Sequence, residues 1–529
     1  MKKKLQKIIE KTVFELFQLE QVDFAVEYAK DEKFGDYATN VAMVLAKKVG
    51  KNPVQIANQI RDFFCSQESS NFEKIEVASP GYINFSLSKK YLQEKVLEIN
   101  EQKEKFGNSE IGKGIKVSNE FISANPTGPL HLGNGRGGFL GDSISRLLRK
   151  VGYDVANEYY INDAGEQILK LGHSVLKDSE AVYGGEYIDE LHEKYSGVQD
   201  VRKVGRIAAQ DVLENFIQKT VKEKMQISFD VWMSEKKILD DGYVDRAIEI
   251  LEKKNLAYES EGALWLKTTE FGDDKDRVLI KQDGQKTYFA SDCGYILNKM
   301  ERGFDNLIET WGADHHGYIN RFRAAAMALG FAGELRFMIV QLVRLMKDGQ
   351  EVRMSKRAGN IVLIDDLIDK VGHDVARFFF LMYSSDTHMN FDLGLAEEKS
   401  QKNPVFYVQY AHARIASILN KAKTTEGSTF GDRRLNLELL THEKELSLIK
   451  ELNKFPEQVE ELAGSYEVHK LPYYAIKLAD KFHSFYNDCK VINEENLGLT
   501  KARIELAKAT RIVLAETLKL IGVSAPEKM

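Results

Sequence analysis

The chain has 529 residues, of which 43% are hydrophobic and 29% charged, with a formal charge of −6. That length leaves room for three or four domains, each able to bury its own core, and the composition is that of a soluble globular protein. No run of 18 apolar residues occurs, which excludes a membrane-spanning helix, and three cysteines (Cys65, Cys293, Cys489) match no zinc spacing and argue against a disulfide framework. A cytoplasmic protein with free thiols is the expectation. The net charge neither announces nor excludes a nucleic-acid partner, because such binding rests on a local patch.

The first stretch is basic but carries Glu10 and Glu15 and lacks a cleavage site, so residues 5–19 read as an amphipathic helix and not a signal peptide. A loop at Lys33-Phe34-Gly35-Asp36-Tyr37 precedes a helix expected over 38–48, and Pro53 suits the first turn of a helix over 54–64. Ile75–Ala78 and Tyr82–Phe85 flank Ser79-Pro80-Gly81 as a hairpin-like pair, which makes residues 1–110 an α+β unit. A polar, glycine-containing linker follows at 108–114.

From Lys116 strand-like and helical stretches alternate: a strand over 117–122, a helix over 137–151, a strand over 154–161. That rhythm is of a parallel, doubly wound (Rossmann-like) sheet. Residues 164–256 are rich in Glu and Lys and read as a helical insertion. The sheet is expected to resume through Ala263–Leu266, Arg277–Ile280 and Asn306–Glu309, with a last strand over 337–343. After Ile361 the chain reads as helical, and from Gln401 onward 19 basic residues face 17 acidic ones, a near-neutral helical bundle.

Two stretches carry chemistry. Residues 119–142 break at Asn125-Pro126-Thr127-Gly128-Pro129 and resume as a helix after Leu132, with six glycines between Gly128 and Gly141 and His131 at the bend. A strand, a Gly-rich turn and a helix N-terminus form an anion site, since free N–H groups and the helix dipole point at the ligand. Taken alone, such a turn is more often a tight connection. The second stretch is the basic loop Arg353-Met354-Ser355-Lys356-Arg357, which in isolation is a solvated charge run.

Together, His131-Leu132-Gly133-Asn134 and Met354-Ser355-Lys356 resemble the two signature loops of class I aminoacyl-tRNA synthetases, in the expected order around a long insertion. Four stretches resemble the arginyl-tRNA synthetases in particular: EFISANPTGPLHLGN (120–134), TYFASD (287–292), WGADHHGYINR (311–321) and FYVQYAHARI (406–415). Phe-Gly-Asp-Tyr-Ala, Gly-Tyr-Ile-Asn-Phe and the final LIGVSAPEKM are also similar to that family. The resemblance spans nearly the whole chain. It implies an N-terminal additional domain (1–110) contacting the tRNA, a catalytic domain (115–370) with the insertion at 164–256, and a helical anticodon-binding domain (371–529).

What the resemblance implies about the site follows residue by residue. ATP, with Mg²⁺, would be held by Pro129, His131, Gly133, Asn134, Gly312, Arg353, Met354, Ser355 and Lys356, with the loop glycines on the phosphates. Of these, His131, Asn134 and Lys356 would be catalytic. Arginine would be held by Glu120, Ser123, Asn125, Tyr288, Asp292 and His315. A guanidinium cannot lose its charge and asks for planar carboxylate acceptors, which select it over lysine. Tyr407, Gln409, Tyr410, Arg414, Tyr486 and Asn487 would meet tRNA, with aromatics stacking on unpaired bases.

Two positions depart from the family pattern: Asn134 replaces a second histidine, and Arg353 replaces the first lysine of the second loop. His315 and His316 lack a third ligand, so no metal and no zinc is expected. The expected partners are tRNA(Arg), L-arginine and ATP, with no membrane, and the expected state is a monomer. Competing readings are another class I synthetase, a small-metabolite nucleotidyltransferase and a non-catalytic tRNA-binding paralogue. The short insertion disfavours the editing enzymes. The helical C-terminal region disfavours the transferase, and His131, Lys356, Glu120 and Asp292 disfavour the paralogue.

Overall fold

The computed structural model describes residues 1–67, 70–352, 362–429 and 435–529. Arg353, Met354, Ser355 and Lys356 therefore lie outside the described residues.

The frame that positions the site is a five-stranded sheet in which every neighbouring pair is parallel. Across the sheet the strands run Glu334–Val340, Asn306–Gly312, Lys116–Glu120, Asp154–Ile161, Val231–Ser234. Sequence order thus reverses between Lys116–Glu120 and Asn306–Gly312. In an open parallel sheet the crevice beyond the carboxyl ends of the strands at such a reversal is where ligands bind, because the connections depart to opposite faces. Helix Leu132–Lys150 crosses over from the first of these strands to Asp154–Ile161.

This sheet corrects three expectations. Val231–Ser234 falls inside the supposed helical insertion yet pairs with Asp154–Ile161. It is four half-buried residues at an edge, too short to show a period among charged helices. Ala263–Leu266 and Arg277–Ile280 do not resume the parallel sheet; with Ala257–Ser260 they form a separate antiparallel sheet. Glu261 and Gly262 turn the first hairpin with φ of +53° and +75°, the conformation a tight two-residue hairpin loop demands. The last strand is Glu334–Val340, a few residues earlier than expected, and Val343–Lys347 pairs elsewhere, with Gln350–Glu351 and Met389–Asp392.

The N-terminal hairpin forms as read, Phe72–Ala78 against Tyr82–Leu87, within a four-stranded antiparallel sheet. The helix expected over 38–48 begins only at Val41, because Tyr37–Thr39 is a strand that turns Tyr37 and Thr39 into the core. Helices Pro404–Thr429, Glu443–Asn453, Phe455–Ser465, Lys470–Asp488 and Leu497–Leu520 make up the C-terminal bundle. The N-terminal sheet docks on that bundle: Tyr28 and Tyr37 donate their hydroxyls to Glu457 at 2.6 and 3.2 Å, and Lys450 meets Asp36 at 2.8 Å. Among the described residues no helix is long and apolar enough to cross a membrane.

Candidate active site

Helix Leu132–Lys150 begins on His131, and the local sequence explains why. The His131 Nδ1 accepts hydrogen bonds from the N–H groups of Gly133 (3.0 Å) and Asn134 (3.4 Å), while the Asn134 carboxamide oxygen accepts from His131 N–H at 3.1 Å. This reciprocal cap satisfies three otherwise orphan donors. It also sets the tautomer: Nδ1 is an acceptor, so the neutral ring carries its proton on Nε2. Burial lowers the His131 pKa, opposed by Asp314, which favours that neutral form. Asn134, the departure from the family pattern, is thereby accounted for as the second half of the cap.

The glycines after Gly133 allow close packing. They lie inside the helix, where a Cβ on Gly135, Gly138 or Gly141 would sit 2.5, 2.5 and 2.3 Å from Ile364, Met225 and Phe121. They let the helix press onto its neighbours.

The second signature loop lies outside the described residues, but both of its flanks are placed. Val352 N–H donates to Leu345 O at 2.9 Å, Leu132 N–H to Val362 O at 3.2 Å and Ile364 N–H to Leu130 O at 3.0 Å. Val362 and Ile364 therefore lie directly against the residues that open the signature helix. Arg136, unremarked in the sequence, strengthens this frame. Its buried guanidinium donates to the carbonyls of Gln341 and Thr387 (2.9 Å each) and Ser384 (2.7 Å), and burial pulls its pKa to about 10. Pro129 is half-buried beside Leu130, and Gly312 is exposed at the carboxyl end of its strand.

Acids gather on the central strands and on the elements beside them, and their neutralisation divides them. Glu120 accepts from Lys299 Nζ at 2.8 Å, which also donates to Glu309 at 2.7 Å. Glu158 accepts a two-pronged contact from Arg302 (2.7 and 2.8 Å) and the Tyr295 hydroxyl at 2.7 Å. Asp292 and Glu235 form no ion pair among the described residues. Burial pushes Asp292 up to about 7, with Glu235 and Glu120 adding to the rise and the Tyr318 hydrogen bond and more distant Arg321 opposing it. Burial likewise pushes Glu235 up to about 7, opposed by a Ser291 hydrogen bond and aided by Asp163.

Carboxyls held out of water without a cation favour the protonated form, and a cation brought to them favours the ionised one. Glu120, expected among the arginine ligands, already accepts from Lys299 on one oxygen and from Ser123 on the other, at 3.0 Å. Glu235, at 3% exposure, escapes sequence reading. A Ser-Glu at the end of an unrecognised edge strand leaves no signal; the strand itself, once seen, points to it. Tyr318 escapes as well, although it lies in the WGADHHGYINR stretch. Tyr288 is 53% exposed, and Asn125 and His315 are exposed; His315 Nε2 lies 3.5 Å from Asp314.

In the C-terminal bundle Tyr407, Tyr410, Arg414 and Tyr486 come together around His483, which nothing in the sequence singles out. Ring centroids of Tyr407 and Tyr410 lie 4.9 and 6.0 Å from that of His483, and the Arg414 guanidinium lies 5.3 Å from Tyr410 and 4.9 Å from Tyr486. Asn487 is exposed beside them. Gln409 does not join them. It is buried, donating to Asp374 at 2.8 Å and to Ser524 at 3.1 Å.

Comparison with known proteins fits this arrangement. The family model for the tRNA synthetases class I (R) catalytic domain matches residues 95–209 and 195–379. The arginyl tRNA synthetase N terminal domain matches 1–87 and the DALR anticodon binding domain 408–529. The chain belongs to the arginyl-tRNA synthetase family. Among arginyl-tRNA synthetase relatives, the arginine–tRNA ligase of Bacillus pumilus (strain SAFR-032) is 45% identical over 531 residues, covering 96% of this chain and 94% of its own. That of Bacillus subtilis (strain 168) is 44% identical over 528 residues, covering 95% and 94%. The Thermus thermophilus arginyl-tRNA synthetase structure shares the fold, with a TM-score of 0.78, 22% identity and full coverage of both chains.

Proposed function

We infer that this protein ligates L-arginine to tRNA(Arg) through an arginyl-adenylate. The arginine carboxylate attacks the α-phosphorus of ATP, the bond to the bridging oxygen breaks and pyrophosphate leaves. A hydroxyl of the terminal adenosine of the tRNA then attacks the activated carbonyl, and AMP leaves. Such chemistry asks side chains mainly to position groups and offset growing negative charge. His131 offers a neutral Nε2–H and the helix N-terminus its N–H groups to the phosphates. Lys356 and Arg353, with Met354 and Ser355, supply the positive charge from the second loop, and Mg²⁺ enters with ATP.

The observation that carries the reading is that Asp292, on helix Tyr288–Glu301, and Glu235, just after strand Val231–Ser234, have no ion pair among the described residues, with Tyr318 bonded to Asp292. A guanidinium completes that site. Tyr288, Ser123, Asn125 and His315 complete the amino-acid side. Tyr407, Tyr410, Arg414, Tyr486 and Asn487 take the anticodon, residues 1–110 meet the tRNA body, 115–370 catalyse and 371–529 read the anticodon. The enzyme works as a cytoplasmic monomer. Acid-stable incorporation of each amino acid into tRNA tests the assignment: arginine is charged, and charging by another amino acid in its place overturns it.

A further inference from the structure

Lys299 is a fully buried lysine for which the ligation chemistry has no use. It lies on helix Tyr288–Glu301, between Glu120 and Glu309, with Nζ 4.4 Å from the Tyr295 ring centroid. Burial opposes its charge, but the two carboxylates outweigh that and raise its pKa. From Glu120 the contact continues to the Ser123 hydroxyl at 3.0 Å, and Ser123 Oγ in turn accepts from Tyr160 N–H at 3.0 Å.

That hydroxyl stands where the chain breaks away from its strand. Ile122 and Ser123 have φ of +67° and +37°, a region that a β-branched residue such as isoleucine enters only under constraint. Two such residues in succession persist when their surroundings over-determine them. The constraints here are the Ser123 hydroxyl and the bond from Tyr159 to Ala124 O at 2.9 Å. The first depends on Glu120 being held in place, and Glu120 is held by Lys299.

We propose that Lys299 is a positioning residue for the amino-acid substrate: through Glu120 and Ser123 it holds the strained turn at residues 121–125 against the cleft without touching the substrate. The inference rests on the arginine reading above. A displacement of about 1 Å at such a turn is enough to slow the reaction on the order of 10²-fold.

The test is Lys299→Met in the full-length enzyme, with arginine, ATP and tRNA varied separately in steady-state charging. KM for arginine rises about tenfold or more, while KM for ATP and for tRNA stays within about threefold. Glu309→Gln, which leaves the Lys299–Glu120 contact in place, keeps the wild-type KM for arginine. Lys299→Arg retains the buried charge but shifts Glu120, and raises KM for arginine selectively; it decides the question if Lys299→Met does not fold. Equal rises for arginine and ATP, a Glu309→Gln effect matching Lys299→Met, or an unchanged KM for arginine in Lys299→Arg overturns the proposal. Failure of the wild-type enzyme to charge arginine would instead remove the functional reading beneath it.

Discussion

Tyr318 donates its phenolic hydrogen to Asp292, a half-buried carboxyl that feels the charge of the buried Glu235, and neither acid has an ion pair among the described residues. Both acids sit near pH 7 in the folded protein, above their ordinary values of 3.8 and 4.5. Raised carboxyl pKa values mean that the folded chain binds more protons than the unfolded one between about pH 4 and 7. These two groups therefore favour folding at low pH and oppose it as pH rises through about 7. A bound guanidinium reverses the balance, since it favours the ionised forms.

Arginine binding accordingly releases protons near neutral pH and weakens as pH falls through about 7. Calorimetric titration in buffers of different ionisation enthalpy measures the release directly. Tyr318→Phe removes a bond that favours the ionised form, so the acidic limb of arginine affinity moves up by about one pH unit. An unmoved limb would detach Tyr318 from the site.

At the signature helix, cap and chemistry can be separated. His131→Ala loses both, slowing activation on the order of 10²–10³-fold and weakening the helix start by about 1 kcal/mol. His131→Asn restores a good cap but not the reach of Nε2, so stability returns while pyrophosphate exchange stays slow. Both leave tRNA affinity near wild type in a filter-binding assay.

Arg377 is completely buried; it donates to the carbonyl of Ile521 and to Asp142 on the signature helix. Arg377→Met strands the Asp142 carboxylate, although Arg146 still meets it at 2.7 Å. Breaking one side of a buried pair costs about 3–5 kcal/mol. Scanning calorimetry should show a clearly lower unfolding midpoint, with the C-terminal bundle loosened from the catalytic sheet.

Arg414 and Gln409 lie five residues apart on one helix and answer differently. Arg414→Ala removes the cation between Tyr410 and Tyr486, raising KM for tRNA about tenfold with little effect on pyrophosphate exchange. Gln409→Ala loses its bonds to Asp374 and Ser524, lowering stability by about 1–3 kcal/mol while tRNA affinity holds.

Local grammar settled much of this protein before any fold was seen. The hairpin around Ser79-Pro80-Gly81, the strand Asp154–Ile161 and the strand-turn-helix at His131 all follow from nearest neighbours, because turns, caps and periodicity are short-range. The tertiary structure alone decided which strands are partners and which charges cancel. Val231–Ser234 was hidden because a four-residue edge strand has no period of its own. Lys299 reaches Glu120 across 179 positions, so nothing near either residue announced that this acid is neutralised while Asp292 and Glu235 have no ion pair among the described residues. Electrostatic pairing in a low-dielectric interior acts through space, and only the folded chain brings the partners within reach.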